Sequence, residues 1–270
     1  MSHRTLTKSN PPTGELPRLT WCTAGKLGHL PLHAAGYYDR PNSKVSDFVV
    51  SSYIPSLGAL LSTDASTPAS CSHSHILAVA SENAEGHRFN LQHTKSELDT
   101  IYYHANRPIV ISRMVDSEAR CESVLAGMKA SDWLHFAGPI QVEHANPVKS
   151  HFQLEDGRLN FDTIIQKSFK NKGLAFLSAC GGIVGNTVYR DIGGTLLNMG
   201  GEHRLADEAM HLGSAMLMAG YQSVIATTGI AMDDNCPTIA DKVYELLLKD
   251  GTMDCRNSAR ALHEAVKCLR

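Results

Sequence analysis

Cys180 is the residue with the clearest chemical potential in this sequence, because it stands directly after a short apolar segment. That segment, Leu174–Ala179, follows a glycine and is bounded on the other side by Gly181 and Gly182, which predicts a buried parallel strand. Loops at the carboxyl ends of such strands commonly carry catalytic groups, and glycines there let a backbone N–H approach a ligand. Cys180 can therefore be a nucleophile, or a buried thiol that serves as a small apolar residue.

A cysteine nucleophile needs a base or a cation beside it, because the thiolate attacks and an ordinary thiol is mostly protonated at neutral pH. The natural supplier is a histidine on the loop after a neighbouring strand. The segment Trp133–Ala137 predicts such a strand, and it contains His135; His144 lies in the loop that follows. Both are weak substitutes for a dedicated base, since His135 would have to reach along more than about 10 Å of strand and nothing orients His144.

Strands and helices alternate along the chain from residue 76 onward. The pattern predicts strands at Ile76–Ala80, Pro108–Ser112, Trp133–Ala137, Leu174–Ala179 and Ser223–Thr227, and helices that begin at Thr94, Asp116, Phe161 and Arg204. This alternation favours an α/β fold with a mainly parallel sheet flanked by helices. Thr94 and Glu97 have the spacing of a capping box. In the last helix, the apolar face is predicted to contain Ala259, Leu262, Val266 and Leu269.

The chain of 270 residues is long enough for one large domain. Residues 1–18 contain little that could be buried, which predicts a disordered N-terminal segment, and residues 19–270 form the predicted domain. Its first part, Leu19–His33, predicts a short hairpin or strand pair with Trp21 and Cys22 in the core. The glycine-rich segment 185–203 predicts a loop beside the proposed site.

Charge and cysteine content argue against several classes of protein. The formal net charge of -2 provides no electrostatic basis for binding nucleic acid, and no segment is apolar for long enough to span a membrane. The seven cysteines show no C-x-x-C pairing, so neither a disulfide framework nor a zinc site is indicated. We therefore expect a cytoplasmic protein without a metal or another cofactor.

Several motifs, in the right order, resemble the CHAT domain family of caspase- and separase-like cysteine peptidases. They include Leu134–Ala137, Asp156–Leu159, Leu177–Cys180, Ala219–Tyr221, Val224–Thr227 and Ala261–Val266. The resemblance covers roughly residues 19–270 and implies a caspase-like three-layer sandwich. It also implies that Cys180 is the nucleophile, with its own N–H and the turn at Gly181 helping to hold the oxyanion.

One departure from the family pattern bears directly on activity. The family's catalytic histidine, and the glycine whose N–H helps to form the oxyanion hole, fall on Pro139 and Ile140. Proline has no proton-accepting side chain and no N–H. Loss of the base in enzymes of this kind lowers the rate by orders of magnitude.

The run Asp233–Asp234 falls where separase-like members carry an acidic residue that faces the substrate. That role would favour an Arg or Lys side chain before the scissile bond, although acidic residues are equally suited to the start of a helix. Two functions follow from the resemblance. One is a CHAT-type cysteine endopeptidase impaired by the loss of its base, and the other is a non-catalytic module that binds a peptide or a partner protein. The oligomeric state stays open.

Overall fold

The structure is a computed structural model that describes residues 14–23, 27, 30–56, 58, 74–82, 93–141, 143, 149–170, 172–178, 212–226 and 235–269. Its strands are β1 (Arg18–Trp21), β2 (Val50–Tyr53), β3 (His75–Ala80), β4 (Val110–Val115), β5 (Trp133–Ala137), β6 (Ile140–Gln141), β7 (His151–Leu154), β8 (Gly157–Asn160), β9 (Lys172–Ser178) and β10 (Tyr221–Ala226). Its α-helices are α1 (Thr94–His104), α2 (Cys121–Ala130), α3 (Phe161–Lys167), α4 (Leu212–Met218), α5 (Cys236–Leu247) and α6 (Ser258–Lys267).

The central sheet consists of five parallel strands in the order β10-β9-β5-β3-β4. Successive side chains of a strand point to opposite faces, so Leu134 and Phe136 face α2, α3 and α4, whereas Trp133 and Ala137 face α1, α5 and α6. Both faces are apolar and covered by helices. This arrangement confirms the predicted three-layer α/β sandwich.

Local signals located the strands well and one helix start poorly. β5 has the predicted bounds, whereas β9 begins at Lys172, whose ammonium donates to the carbonyls of Lys129 and Ser131 at the end of α2. The helix predicted from Asp116 begins at Cys121 instead. Asp116 has a φ of 46°, which a right-handed α-helix does not accommodate.

The N-terminal part of the predicted domain pairs differently from expectation. β1 pairs in parallel with β2, so its partner comes from a later segment and not from a hairpin within Leu19–His33. Trp21 is half-buried and Cys22 is exposed, so the predicted core position of Cys22 is wrong. β1 is mostly exposed and pairs only with β2, so it offers little apolar surface to bury its neighbours.

The predicted apolar face of the last helix is only partly correct: Leu262 packs against the core, whereas the fully buried positions are others. α6 buries Ser258, Ala261 and Ala265, whereas Leu269 is 39% exposed. α6 packs against α5 and β2, and its small residues let those backbones come close. A helix that packs on two elements need not turn its largest side chains inward.

None of the helices in the described ranges has both the length and the apolar character needed to cross a bilayer.

Candidate active site

The carboxyl edge of the central sheet brings the ends of β5 and β9 together. The Gly138 N–H donates to the Ser178 carbonyl over 3.2 Å, which continues the pairing of the two strands by one residue. Cys180, Gly181 and Gly182 lie outside the described residues. Cys180 follows the last described residue of β9, Ser178, by two positions. The catalytic role of Cys180 stays a prediction.

Pro139 and Ile140 open a small antiparallel sheet that begins directly after β5. The Pro139 carbonyl accepts the Gln153 N–H over 3.0 Å, and Ile140 is in register with Phe152 in the order β6-β7-β8. The Ile140 side chain is 1% exposed and belongs to the core beside Phe136 and Phe152. The two positions that the resemblance matches to the family's histidine and glycine are thus part of the packed interior.

The side chain of Ile140 is buried, but its backbone N–H is not used in the pairing with β7. Hydrogen-bonded and non-hydrogen-bonded pairs alternate along an antiparallel ladder. Since Gln153 donates to Pro139, the neighbouring pair of Ile140 and Phe152 is non-hydrogen-bonded, and the Ile140 N–H points away from β7. The predicted oxyanion donor at Ile140 is therefore compatible with the backbone geometry, and its role stays a prediction.

His135 lies within β5, on the face of the sheet covered by α1 and α5. Its Nδ1 is 3.1 Å from the Tyr244 hydroxyl and its Nε2 is 3.2 Å from Glu97 Oε1. Its ring packs on Phe176, with ring centroids 4.8 Å apart. All three polar side chains, His135, Glu97 and Tyr244, are 0% exposed. An imidazole enclosed in this way presents no surface to a substrate or to a thiol on the loop after β9.

Glu97 has a different role from the one that the sequence predicts, because its spacing from Thr94 predicts a capping box. That prediction is wrong: the helix is preceded by His93, without a side-chain capping hydrogen bond, and the Glu97 carboxylate faces His135. Burial, together with the charge of Glu97, raises the pKa of Tyr244 well above its ordinary value. Sequence spacing could not reveal this, since a capping box and a buried face occupy the same positions of a first helical turn.

His144, Asp233 and Asp234 lie outside the described residues, so their predicted roles stay predictions. Asp233 and Asp234 precede α5, which begins at Cys236. Both alternatives for them, a substrate contact and a favourable charge near a helix start, therefore remain open.

A small apolar cavity of about 70 Å³ adjoins the end of β9. Its described lining comes from β9, β10, α5 and α6, and consists of Phe176, Leu177, Ser178, Ile225, Ala226, Cys236, Ile239 and Leu262. These residues carry no formal charge. The described lining is therefore suited to an uncharged group.

A closed ion cluster lies at the other end of the same edge, after β3 and β4. Lys95 Nζ is 2.9 Å from Glu82 Oε2 and 2.8 Å from Asp116 Oδ2. Burial, the largest single influence, acts to raise the pKa of Asp116, but the hydrogen bond from Lys95, the hydrogen bond from the Glu82 N–H and the charge of Lys95 together hold that pKa below its usual value. These charges satisfy one another. Within the described ranges, no group of three or more His, Cys, Asp or Glu side chains is arranged to hold a metal ion.

Comparison with known proteins agrees with this architecture. The sequence model of the CHAT domain matches residues 3–270, which is essentially the whole chain. No curated protein matches it. The parallel sheet is the one expected from the resemblance, and the family match spans the whole order of motifs, so the chain belongs to the CHAT domain family.

Proposed function

We propose that this CHAT domain binds a peptide, or a segment of a partner protein, at the carboxyl edge of its sheet and has lost efficient catalysis. The observation that carries the proposal is the environment of Pro139 and Ile140. Proline at 139 supplies no base, and the Ile140 side chain beside it is buried in the core and supplies none either.

The surroundings of His135 support the same conclusion. A substitute base would have to leave Glu97 and Tyr244, both fully buried, and break the packing on Phe176. Abandoning a buried carboxylate in this way is strongly unfavourable. His144 is the remaining substitute named by the sequence, and it is the next residue to test.

A weakly active cysteine endopeptidase is the second candidate function. The orientation of the Ile140 N–H favours it, because an oxyanion donor on that side survives the replacement of glycine. Cys180 and Gly181 would supply the nucleophile and the other donors. If Asp234 faces the substrate, the preferred residue before the scissile bond is Arg or Lys. The scattered cysteines support a reducing, cytoplasmic setting for either function.

The test is covalent labelling of the purified protein with arginyl and lysyl acyloxymethyl ketone probes. We expect no labelling of the wild type, labelling of Pro139→His, and no labelling when Cys180→Ala is added. The physical reason is that histidine at 139 would stand after β5 and generate the thiolate of Cys180. This outcome would mean that the cleft and nucleophile are intact and only the base is missing.

Cys121 provides the matched control thiol. Burial, reinforced by the hydrogen bond to Asp156, raises the pKa of Cys121 to about 11, so it should stay protonated and Cys121→Ala should leave the labelling pattern unchanged. Labelling of the wild type that disappears in Cys180→Ala would contradict the loss of catalysis, and His144→Ala would then test for an alternative base. Failure of Pro139→His to react would contradict the proposed cleft geometry.

A further inference from the structure

The buried group formed by Glu97, His135 and Tyr244, called the polar cluster below, joins three elements of the fold. Glu97 comes from α1, His135 from the centre of the sheet and Tyr244 from α5. The strands on either side of His135 contribute Ala78 and Phe176 in register with it. Among the described residues, the titratable groups in contact with His135 are Glu97 and Tyr244, and the residues around them are apolar.

The polar cluster is poorly satisfied for a buried group. Neither Glu97 oxygen, nor His135 Nε2, makes a hydrogen bond of good geometry, although Nε2 and Oε1 are 3.2 Å apart. Their interaction is thus mainly electrostatic. A single uncompensated charge in such a site would be strongly unfavourable, so the two side chains are either both ionised or both neutral. Buried pairs of this kind are often replaceable by apolar residues without loss of stability.

We infer that the polar cluster is a positioning device: a charge-balanced pair of Glu97 and His135, completed by Tyr244, which sets α5 against the sheet and thereby shapes the cavity at the end of β9. Phe176 connects the two features. Its ring packs on His135 and stacks on Tyr244, with centroids 4.8 Å and 5.9 Å apart, and it also lines the cavity. Cys236, at the start of the helix that carries Tyr244, lines the same cavity.

The first test asks whether His135 balances the charge of Glu97. In His135→Phe, Glu97 is left buried without a partner, so the folded state retains the carboxyl proton while the unfolded chain loses it above about pH 4.3. The equilibrium constant for unfolding, measured in urea, should then rise about tenfold per pH unit between pH 5 and 7. The double variant Glu97→Leu with His135→Phe should show no such slope.

Asp99→Asn is the matched control, because Asp99 is an exposed carboxylate on the same helix that pairs with Arg113. It should leave the pH profile of the wild type unchanged. A flat profile for His135→Phe would overturn the charge-balanced pair, because it would mean that Glu97 does not depend on His135.

The second test asks whether the polar cluster positions α5. Amide hydrogen exchange of α5 should become at least tenfold faster in the double variant relative to exchange of α2, which lies on the opposite face of the sheet. A merely global change in stability would accelerate both helices equally. An unchanged ratio between the two helices would overturn the positioning role.

Tyr244→Phe repeats the second test if the double variant does not fold. It removes one hydroxyl group and keeps the ring that stacks on Phe176, so α5 should again lose protection selectively. The link to the cleft rests on the proposed function. Neither measurement uses Cys180 or a covalent probe, so the positioning role and the proposed peptide cleft can fail independently.

Discussion

Replacing Ile140 by glycine would restore the residue type of the family pattern, and the structure predicts that this change is costly. The Ile140 side chain is 1% exposed and packs within the core beside Phe136 and Phe152. Truncation of a buried isoleucine to alanine costs about 2–5 kcal/mol, and glycine within a strand adds about 0.5–1 kcal/mol. The free energy of unfolding should therefore fall by about 3–6 kcal/mol, against about 5–15 kcal/mol for a typical domain.

Urea unfolding followed by tryptophan fluorescence measures this loss, because Trp133 is buried in the central sheet. Val110→Gly is the matched control: Val110 is also β-branched and also lies in a strand, but it is 58% exposed. Its cost should be about 1 kcal/mol, mainly from the backbone. If Ile140→Gly costs no more than Val110→Gly, Ile140 is not a core residue and its role in the proposed loss of catalysis is refuted.

The deep burial of Ile140 also has a practical consequence for restoring activity. Pro139→His alone should yield a more stable protein than Pro139→His combined with Ile140→Gly. Both variants keep the backbone N–H at position 140 that is predicted to be an oxyanion donor, so the single variant is the better test of the cleft.

Two further predictions concern the elements that support the site. Asp156→Ala removes the carboxylate that accepts the Cys121 N–H over 2.8 Å at the start of α2, which should cost about 1 kcal/mol at pH 7. That hydrogen bond holds the pKa of Asp156 below its usual 3.8. The stabilisation is therefore present above about pH 4 and is lost as the pH falls through the folded-state pKa, so urea titrations at pH 7 and pH 3 should differ. Gly173→Ala would place a Cβ against the Trp133 indole Nε1, and should lower the free energy of unfolding by about 1–3 kcal/mol and shift the Trp133 fluorescence.

Each of these predictions has a control in the same region. Glu155→Ala removes an exposed carboxylate next to Asp156 and should change stability little at either pH. An equal loss in both variants would mean that net charge, and not the hydrogen bond to α2, is responsible. For Gly173, the control is Gly213→Ala, where the nearest side-chain atom would be 3.8 Å away. If both alanines are tolerated, the close packing of Trp133 on β9 is not limiting.

Local patterns along the chain were sufficient for the fold class and for most strands. A buried parallel strand is a short apolar run, and this signal depends only on adjacent residues. β5 accordingly has its predicted bounds, and the cysteine strand was found within two residues of its observed start. The order of motifs was also enough to identify the family, which the match over residues 3–270 bears out.

Contacts between residues that are distant in sequence determined which side chains are buried and what they contact. The Glu97 carboxylate lies beside His135 and does not cap its helix. His135 in turn contacts Tyr244, which is 109 residues away along the chain. Ile140 is a core residue because β7 pairs with its strand and places Phe152 beside it. The buried residues of α6 include Ala261 and Ala265 because this helix packs against α5 and β2. The sequence by itself determined the five strands of the central sheet and the family, and it predicts that the base at 139 is absent; the small sheet of β6, β7 and β8 gave no local signal. Only the tertiary structure decided which side chains are enclosed, because burial depends on contacts between segments that no local period encodes.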